Sequence, residues 1–309
     1  MNFQVDSSFY KGEEHLTCQD YALHGIQETH LEHKGIFQPI KIPYIIISDG
    51  CSMSNNSDFG ARALCFMIRS NLLKYIRQTA STEKAENIFN AHPKYFEEDI
   101  KIGVKTLINT LQLDHSVFDA TLLFAFVINK KLYVYQYGDG GFIRKIKDVN
   151  TNLEKMEIYN RKYLSGAPNY VTYQIYDRYR IYQHNYGRFN VIDQIEMNED
   201  KNNIGIIEIE KKIGEETSCY TFDLEKEDIT FISLFSDGTS HYMRKYVDEY
   251  DIPRLKQVPL KEIIEHSTDY KNPVGEFVKR GMIGMDKYCK ATECYPNDDI
   301  SWASIHISR

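Results

Sequence analysis

The chain has 309 residues, 42% of them hydrophobic and 26% charged, which supplies one sizeable core and excludes a disordered chain. A formal net charge of -7 excludes a global attraction to nucleic acid or to an anionic membrane. Met1 to Lys11 lack the pattern of a secretory signal, no apolar run reaches the roughly 18 residues of a membrane span, and six scattered cysteines form no disulfide framework, so a cytoplasmic protein with reduced thiols is expected.

Tyr44 to Ser48 is a continuous apolar run that reads as a buried strand and stops at Asp49-Gly50. A polar loop follows, then a helix capped by Asn56 or Ser57. Its Ala61, Leu64, Cys65, Ile68, Leu72 and Ile76 recur at three-and-four spacing and form one buried stripe. Asp58 falls in the first turn, where a carboxylate suits the helix dipole. A second helix, roughly Lys94 to Leu113, places Phe96, Ile100, Val104, Leu107, Ile108 and Leu111 on one face.

From Ala120 the period changes. Ala120 to Ile128, Leu132 to Tyr137 and Phe142 to Ile146 read as strands joined by Asn129-Lys130 and by Gly138-Asp139-Gly140-Gly141. Connections this short force antiparallel pairing and rule out a doubly wound parallel sheet. Neither a dinucleotide nor a P-loop glycine motif is present.

Asn150 to Asp228 is polar and rich in tyrosine, as in Tyr176-Asp177-Arg178-Tyr179-Arg180-Ile181-Tyr182. In an acidic chain this reads as amphipathic strands with tyrosine on a half-buried face, the alternative being an aromatic and basic surface for single-stranded nucleic acid. Phe231 to Phe235 is another apolar run, ending at Asp237-Gly238. Leu260 to His266 and Pro273 to Lys290 read as helices, and Ser301 to Ser308 as a closing strand after Asp298-Asp299. One domain over residues 1–309 is the simplest organisation, with residues 150–228 as a variable region or flap. The fold class is α+β with antiparallel sheet.

Three apolar runs thus end at Asp-Gly, and a fourth acidic pair precedes the last strand. Asp-Gly is a strong turn signal by itself. If these ends are level, however, several carboxylates meet at one rim of a sheet. Two of them ~4 Å apart repel by ~4 kcal/mol at the effective dielectric of a protein rim, so such a cluster needs a cation. Oxygen donors select Mg²⁺, Mn²⁺ or Ca²⁺ over zinc.

In order, Gln19-Asp20, Asp49-Gly50, Asp139-Gly140, Asp237-Gly238 and Asp298-Asp299 give the chain a resemblance, from about Ser7 to Ile307, to the metal-dependent type 2C protein serine/threonine phosphatases, in their bacterial form. The resemblance implies a sandwich of two antiparallel β-sheets flanked by helices on both outer faces, a four-layer αββα arrangement. It implies two Mg²⁺ or Mn²⁺ ions, with a third in bacterial members, and hydrolysis of phosphoserine or phosphothreonine by water shared between the ions. Asp49 matches the aspartate that bridges both ions and Gly50 the glycine whose carbonyl binds one. Asp237 and Asp298 match the aspartates that complete the other site. Asp20 matches the aspartate that orients water at the first, and Asp139 the ligand of the third. Phosphorylated proteins are the implied substrates and a serine/threonine kinase the implied counterpart, with no nucleic-acid or membrane partner.

The chain departs from the family at four places. Gln19 stands where a glutamate is common. His15 stands where an arginine often holds the substrate phosphate, a role for a protonated or hydrogen-bond-donating imidazole. His241 replaces an acidic residue, which bears on the third ion. Cys51-Ser52-Met53-Ser54 replaces a glycine-rich loop, with Cys51 read as a small buried residue. Asp299 reads as a strand-start residue rather than a ligand. These departures motivate a second reading, a pseudophosphatase that binds phosphoprotein or a partner without turnover. A third reading, a two-metal phosphodiesterase, needs a basic groove in the tyrosine-rich segment.

Overall fold

The computed structural model describes residues 1–13, 15–33, 36–78, 93–148, 151, 153–164, 168–176, 190–200, 203–212 and 218–309. In chain order these form β1 (Asn2–Tyr10), β2 (Tyr21–His33), β3 (Ile36–Ser48), α1 (Ser57–Gln78), α2 (Pro93–Leu111), β4 (Leu122–Ile128), β5 (Lys131–Tyr137), β6 (Gly140–Lys147) and β7 (Glu154–Tyr163). There follow α3 (Val171–Ile175), β8 (Asn190–Asp200), β9 (Asn203–Lys212), β10 (Cys219–Asp223), β11 (Ile229–Phe235), β12 (Tyr242–Val247), β13 (Pro253–Gln257), α4 (Leu260–Thr268), α5 (Phe277–Ala291), β14 (Cys294–Pro296) and β15 (Ile300–Ser308).

Two antiparallel sheets face each other, one in the order β1-β15-β11-β6-β7-β8-β9 and the other β10-β5-β4-β3-β2. Strand alternation divides the apolar residues between layers. Ile45, Ile47, Leu123, Val134, Ile232, Leu234 and Ile305 point inward and fill the space between the sheets. The opposite faces of β3 and β4, with Tyr44, Ile46, Phe124 and Phe126, pack on α1 and α2. On the far side, Phe231, Phe235 and Trp302 pack on Ile263, Ile264, Phe277 and Met285 of α4 and α5. The four-layer αββα expectation is met.

The α1 stripe is buried throughout, each of its six residues 0–1% exposed. In α2, Ile100, Val104 and Ile108 are buried, but Leu111 is 50% exposed, because it ends the helix and Gln112 takes a positive φ of 53°. Phe96 falls outside the described side chains. Asn129 and Lys130 have φ of 48° and 62°, the paired positive values of a type I′ hairpin turn between β4 and β5. α5 starts at Phe277 rather than Pro273. Its first amides, Val278 N and Lys279 N, donate to the buried carboxylate of Asp6 on β1 at 2.7 and 3.3 Å.

Sequence reading did not find the β2–β3 hairpin, nor that β3 extends back to Ile36. Pro39 and Pro43 are tolerated because β3 pairs with β4 only over Tyr44–Ile47, so the prolines lie where β3 has β2 as its one neighbour. The small sheet β13-β12-β14 was also not legible, its β13 being exposed along its whole length. In the tyrosine-rich segment, β7 carries Tyr159 and Tyr163 at half-buried and buried positions as expected, whereas β9, the edge strand, has no tyrosine and is exposed from Gly205 to Glu210; residues 177–189, which include most of the Tyr176 to Tyr182 run, lie outside the described residues.

Candidate metal centre

Strand register levels the acidic ends. Phe235, the last residue of β11, sits opposite Gly141 of β6 and Trp302 of β15, so Asp237, Asp139 and Asp298 leave the seven-stranded sheet at one edge. In the facing sheet Tyr21 pairs with Ser48, which sets Asp20 beside Asp49. Both sheets therefore contribute carboxylates to one end of the sandwich.

The loops that carry them are tied down by backbone. Asp49 O accepts from Thr121 N at 2.8 Å, Asp49 N donates to Thr121 Oγ1 at 3.1 Å, and Cys51 N donates to Asp119 O at 2.8 Å. A Cβ on Gly50 would lie 2.8 Å from Ser57 O and 3.0 Å from Gln19 O, so the metal loop approaches the Gln19-Asp20 backbone too closely for any side chain. On the other sheet, Ser301 N donates to Ser236 Oγ at 2.9 Å, and Asp237–Ser240 then forms a 3₁₀ turn. A Cβ on Gly238 would lie 1.8 Å from Asp299 O. Glycine is required at both positions by contact rather than by φ.

The electrostatics are those of carboxylates brought together out of water. Asp20 is 3% exposed, and neither carboxylate oxygen makes an aligned hydrogen bond. Burial, with the charge of Asp237, pushes its carboxyl up to about 7 against the opposing contacts of Asp49, Ser236 and Ser301. Asp49 is driven well above the ordinary range by burial and then by the charges of Asp20 and Asp237. Burial and the charge of Asp237 raise Asp139 in the same way, opposed by Arg161. Asp237 Oδ1 is also buried without a partner. Buried carboxylate oxygens facing one another fit hard divalent cations.

Asp298 behaves differently. Burial raises its carboxyl, but His241, the amide of Asp299 and the charge of His15 outweigh burial and hold it below the usual carboxylate value. His241 Nδ1 lies 3.4 Å from Asp298 Oδ2 and 4.0 Å from Asp237 Oδ2. Ligand atoms of Asp237, His241 and Asp298 all fall within 4.8 Å of one another.

A family profile described as Protein phosphatase 2C matches residues 14–273. The chain belongs to the protein phosphatase 2C family. It is accordingly a hydrolase of the protein phosphatase class, and the family is metal-dependent. The match includes His15, Asp20, Asp49, Asp139 and Asp237; Asp298 lies beyond it. Among solved structures the chain is similar to a bacterial serine phosphatase (11% identity, 99% of this chain and 98% of that one, TM-score 0.48). It is also similar to the serine/threonine phosphatase Stp1 from Staphylococcus aureus (10%, 100% and 96%, TM-score 0.44) and to the S. agalactiae serine/threonine phosphatase (12%, 99% and 100%, TM-score 0.44). No curated protein sequence matches the chain.

Within this phosphatase the expected site residues come together at one end of the sandwich, and His15 lies among them. Its Nε2 is 3.5 Å from Asp298 Oδ1 and its Nδ1 2.9 Å from Asp299 Oδ2. Burial lowers its basicity, but contact with Asp299 and the charges of Asp298 and Asp20 raise it overall. Asp299 does start a strand, as expected, and has a second role that sequence did not disclose. Fully buried, it accepts from Gly12 N at 2.8 Å and Gln19 N at 2.6 Å and thereby holds the loop that carries His15 and Asp20. Tyr170 was also missed. It is 6% exposed beside Cys51, and burial, Cys51, Asp139 and Asp49 hold its hydroxyl in the neutral form. No signal marked it out within a run of tyrosines.

Among the described residues, no helix is long and apolar enough to cross a membrane. All six cysteines are free thiols.

Proposed function

We propose that this phosphatase releases phosphate from phosphoserine or phosphothreonine in proteins with the help of two Mg²⁺ or Mn²⁺ ions. Asp49 is the residue assigned to both ions, Gly50 offers its carbonyl to one, and Asp237 and Asp298 hold the other. Asp139 is assigned to a third ion. The observation that carries this reading is the meeting of Asp20, Asp49 and Asp237, with both carboxylate oxygens of Asp20 and Oδ1 of Asp237 buried without an aligned partner.

When bound, such ions lower the pKa of water towards neutrality and neutralise phosphoryl oxygens. The chain's own residues do the rest. Asp20 accepts a hydrogen bond from the attacking water and orients it. Protonated His15, beside Asp298, donates to a phosphoryl oxygen of the substrate. The 3₁₀ turn and the Asp299-anchored loop keep these groups in place before substrate arrives, so little ordering is left for the reaction itself.

The test is hydrolysis of a phosphothreonine peptide with Mn²⁺ and with chelator, in the unaltered protein and in Asp237→Asn. Loss of a ligand is expected to lower activity by more than about 100-fold, the upper range seen for groups that only support a ligand. Turnover undiminished by chelator or by Asp237→Asn would overturn the mechanism. Retention of the peptide with no product under either metal would replace turnover by binding.

A further inference from the structure

We infer that the cavity under α5 is a binding site for a neutral two-ring aromatic molecule that carries one hydrogen-bond acceptor, and that it is separate from the metal centre. The cavity has a volume of about 320 Å³, lies between α5 and the β1–β15 face, and is closed at one side by Tyr242 and Pro296. None of Asp20, Asp49, Asp139, Asp237 and Asp298 lines it. Its size sets the number of rings. An apolar cavity of about 150 Å³ holds one benzene ring, so this one has room for about two. Its walls set the shape. Trp302, Tyr242 and Tyr10 present rings, and Met282, Met285 and Cys289 present sulfur, a lining that suits the faces and edges of a flat aromatic better than an alkyl chain.

A second, independent observation calls for the acceptor. Tyr242 lines the cavity and is 7% exposed, yet among the described residues its hydroxyl has no hydrogen-bond partner. Burial, with Cys289, Cys294, Tyr10 and Asp286 around it, keeps that hydroxyl protonated and so a donor. A donor held out of water without a partner gains from any acceptor brought to it. The cations at the mouth are already engaged, Lys290 with Asp286 at 2.7 Å and Lys279 with Glu276 at 3.1 Å, which favours a neutral ligand over an anion. The walls are also fixed before a ligand enters. Tyr242 stands opposite Pro296 in the β12–β14 pair, and Val278 N at the start of α5 donates to Asp6 Oδ2 on β1 at 2.7 Å, so little ordering opposes binding.

Trp302 is the sole tryptophan of the chain, so its fluorescence reports occupancy of the cavity. The probe is prodan, a naphthalene bearing one ketone carbonyl and a dimethylamino group, titrated into the full chain. Saturable energy transfer from Trp302 is expected, at one probe per chain. Acetylnaphthalene should compete for the site about fivefold more tightly than ethylnaphthalene, which has the same shape without the carbonyl; that ratio is the worth of one neutral hydrogen bond. Tyr242→Phe keeps the ring and should remove the preference. Ile283→Glu, at the half-exposed rim of the cavity, should weaken prodan binding without disturbing the core. Absence of saturation, or equal competition by the two naphthalenes in the unaltered chain, overturns the inference whether or not Tyr242→Phe folds. Binding that Ile283→Glu leaves unchanged places the probe elsewhere and overturns it too.

Discussion

Two groups of buried charge among the described residues, one on β7 and β8 and one at the metal rim, are accommodated in opposite ways. On β7 and β8, Arg161 stands directly opposite Asp193, and its side chain is 2% exposed. Its Nε and Nη2 donate to the two carboxylate oxygens at 2.7 and 3.2 Å, while Lys211 on β9 donates to Asp193 Oδ2 at 2.9 Å. Burial raises the Asp193 carboxyl, but Arg161 and Lys211 outweigh it and hold the group below its usual value. At the rim, Asp20 and Asp49 are shifted the other way, first by burial and then by the charge of Asp237, with no Arg or Lys contact among the described residues to outweigh them. Burial alone does not mark a functional site; a charge whose neighbours share its sign does.

The widest effect on stability is expected on the paired side. Asp193→Ala removes the carboxylate that Arg161 and Lys211 share, and loss of one partner from a buried pair costs about 3–5 kcal/mol. Denaturant unfolding measures it. A loss below about 1 kcal/mol would place Asp193 with the exposed charges and break the contrast.

On the rim side the expectation is smaller and depends on metal. At a Mn²⁺ concentration 100 times its dissociation constant, binding to the folded state alone adds about 2.7 kcal/mol. The pH dependence has a definite sign. In chelator the folded carboxyl of Asp20 titrates at about 7, above the unfolded value near ~3.9. The folded state then binds the proton more tightly, so this contribution is present below pH ~4 and disappears as pH rises through about 7. Asp193 has the reverse sign. Its contribution is present above the unfolded value and is lost as pH falls through its depressed folded value. Thermal unfolding with and without Mn²⁺ should therefore show a larger metal-induced gain at pH 8 than at pH 5, since ligands must be deprotonated to bind. An equal or smaller gain at pH 8 would remove the rim carboxylates as the source.

Legibility in the sequence follows the same division. Apolar runs that stop at Asp49-Gly50 and Asp237-Gly238 announce strand ends, and the three-and-four spacing from Ala61 to Ile76 announces the helix that covers them. These are local patterns. The pairing of Arg161 with Asp193 is fixed by the register of β7 on β8, which no local pattern encodes. Asp299 shows the same limit, since its partners Gly12 and Gln19 are 287 and 280 positions away. His241 was visible only as a departure from a related pattern; its approach to Asp237 and Asp298 depends on the loop contacts of Gly238 and Asn297.

The smallest expected effect belongs to a third kind of charge, and it bounds the other two. Lys130 and Glu225 pair at the β4–β5 turn, with side chains 58% and 61% exposed. Water screens such a pair, and two long side chains lose freedom to form it, so its value is about 0–1 kcal/mol. Glu225→Gln keeps the turn, whose positive φ at Lys130 is a property of the backbone, and removes only the charge. The change in unfolding free energy should fall in that range and vanish near 1 M salt, where the screening length shrinks to about 3 Å. Asp193→Ala should keep most of its effect at the same salt, because the guanidinium it leaves behind is shielded from mobile ions. If the two substitutions responded to salt alike, exposure would not be what separates them, and the contrast between paired and unpaired burial would lose its physical basis.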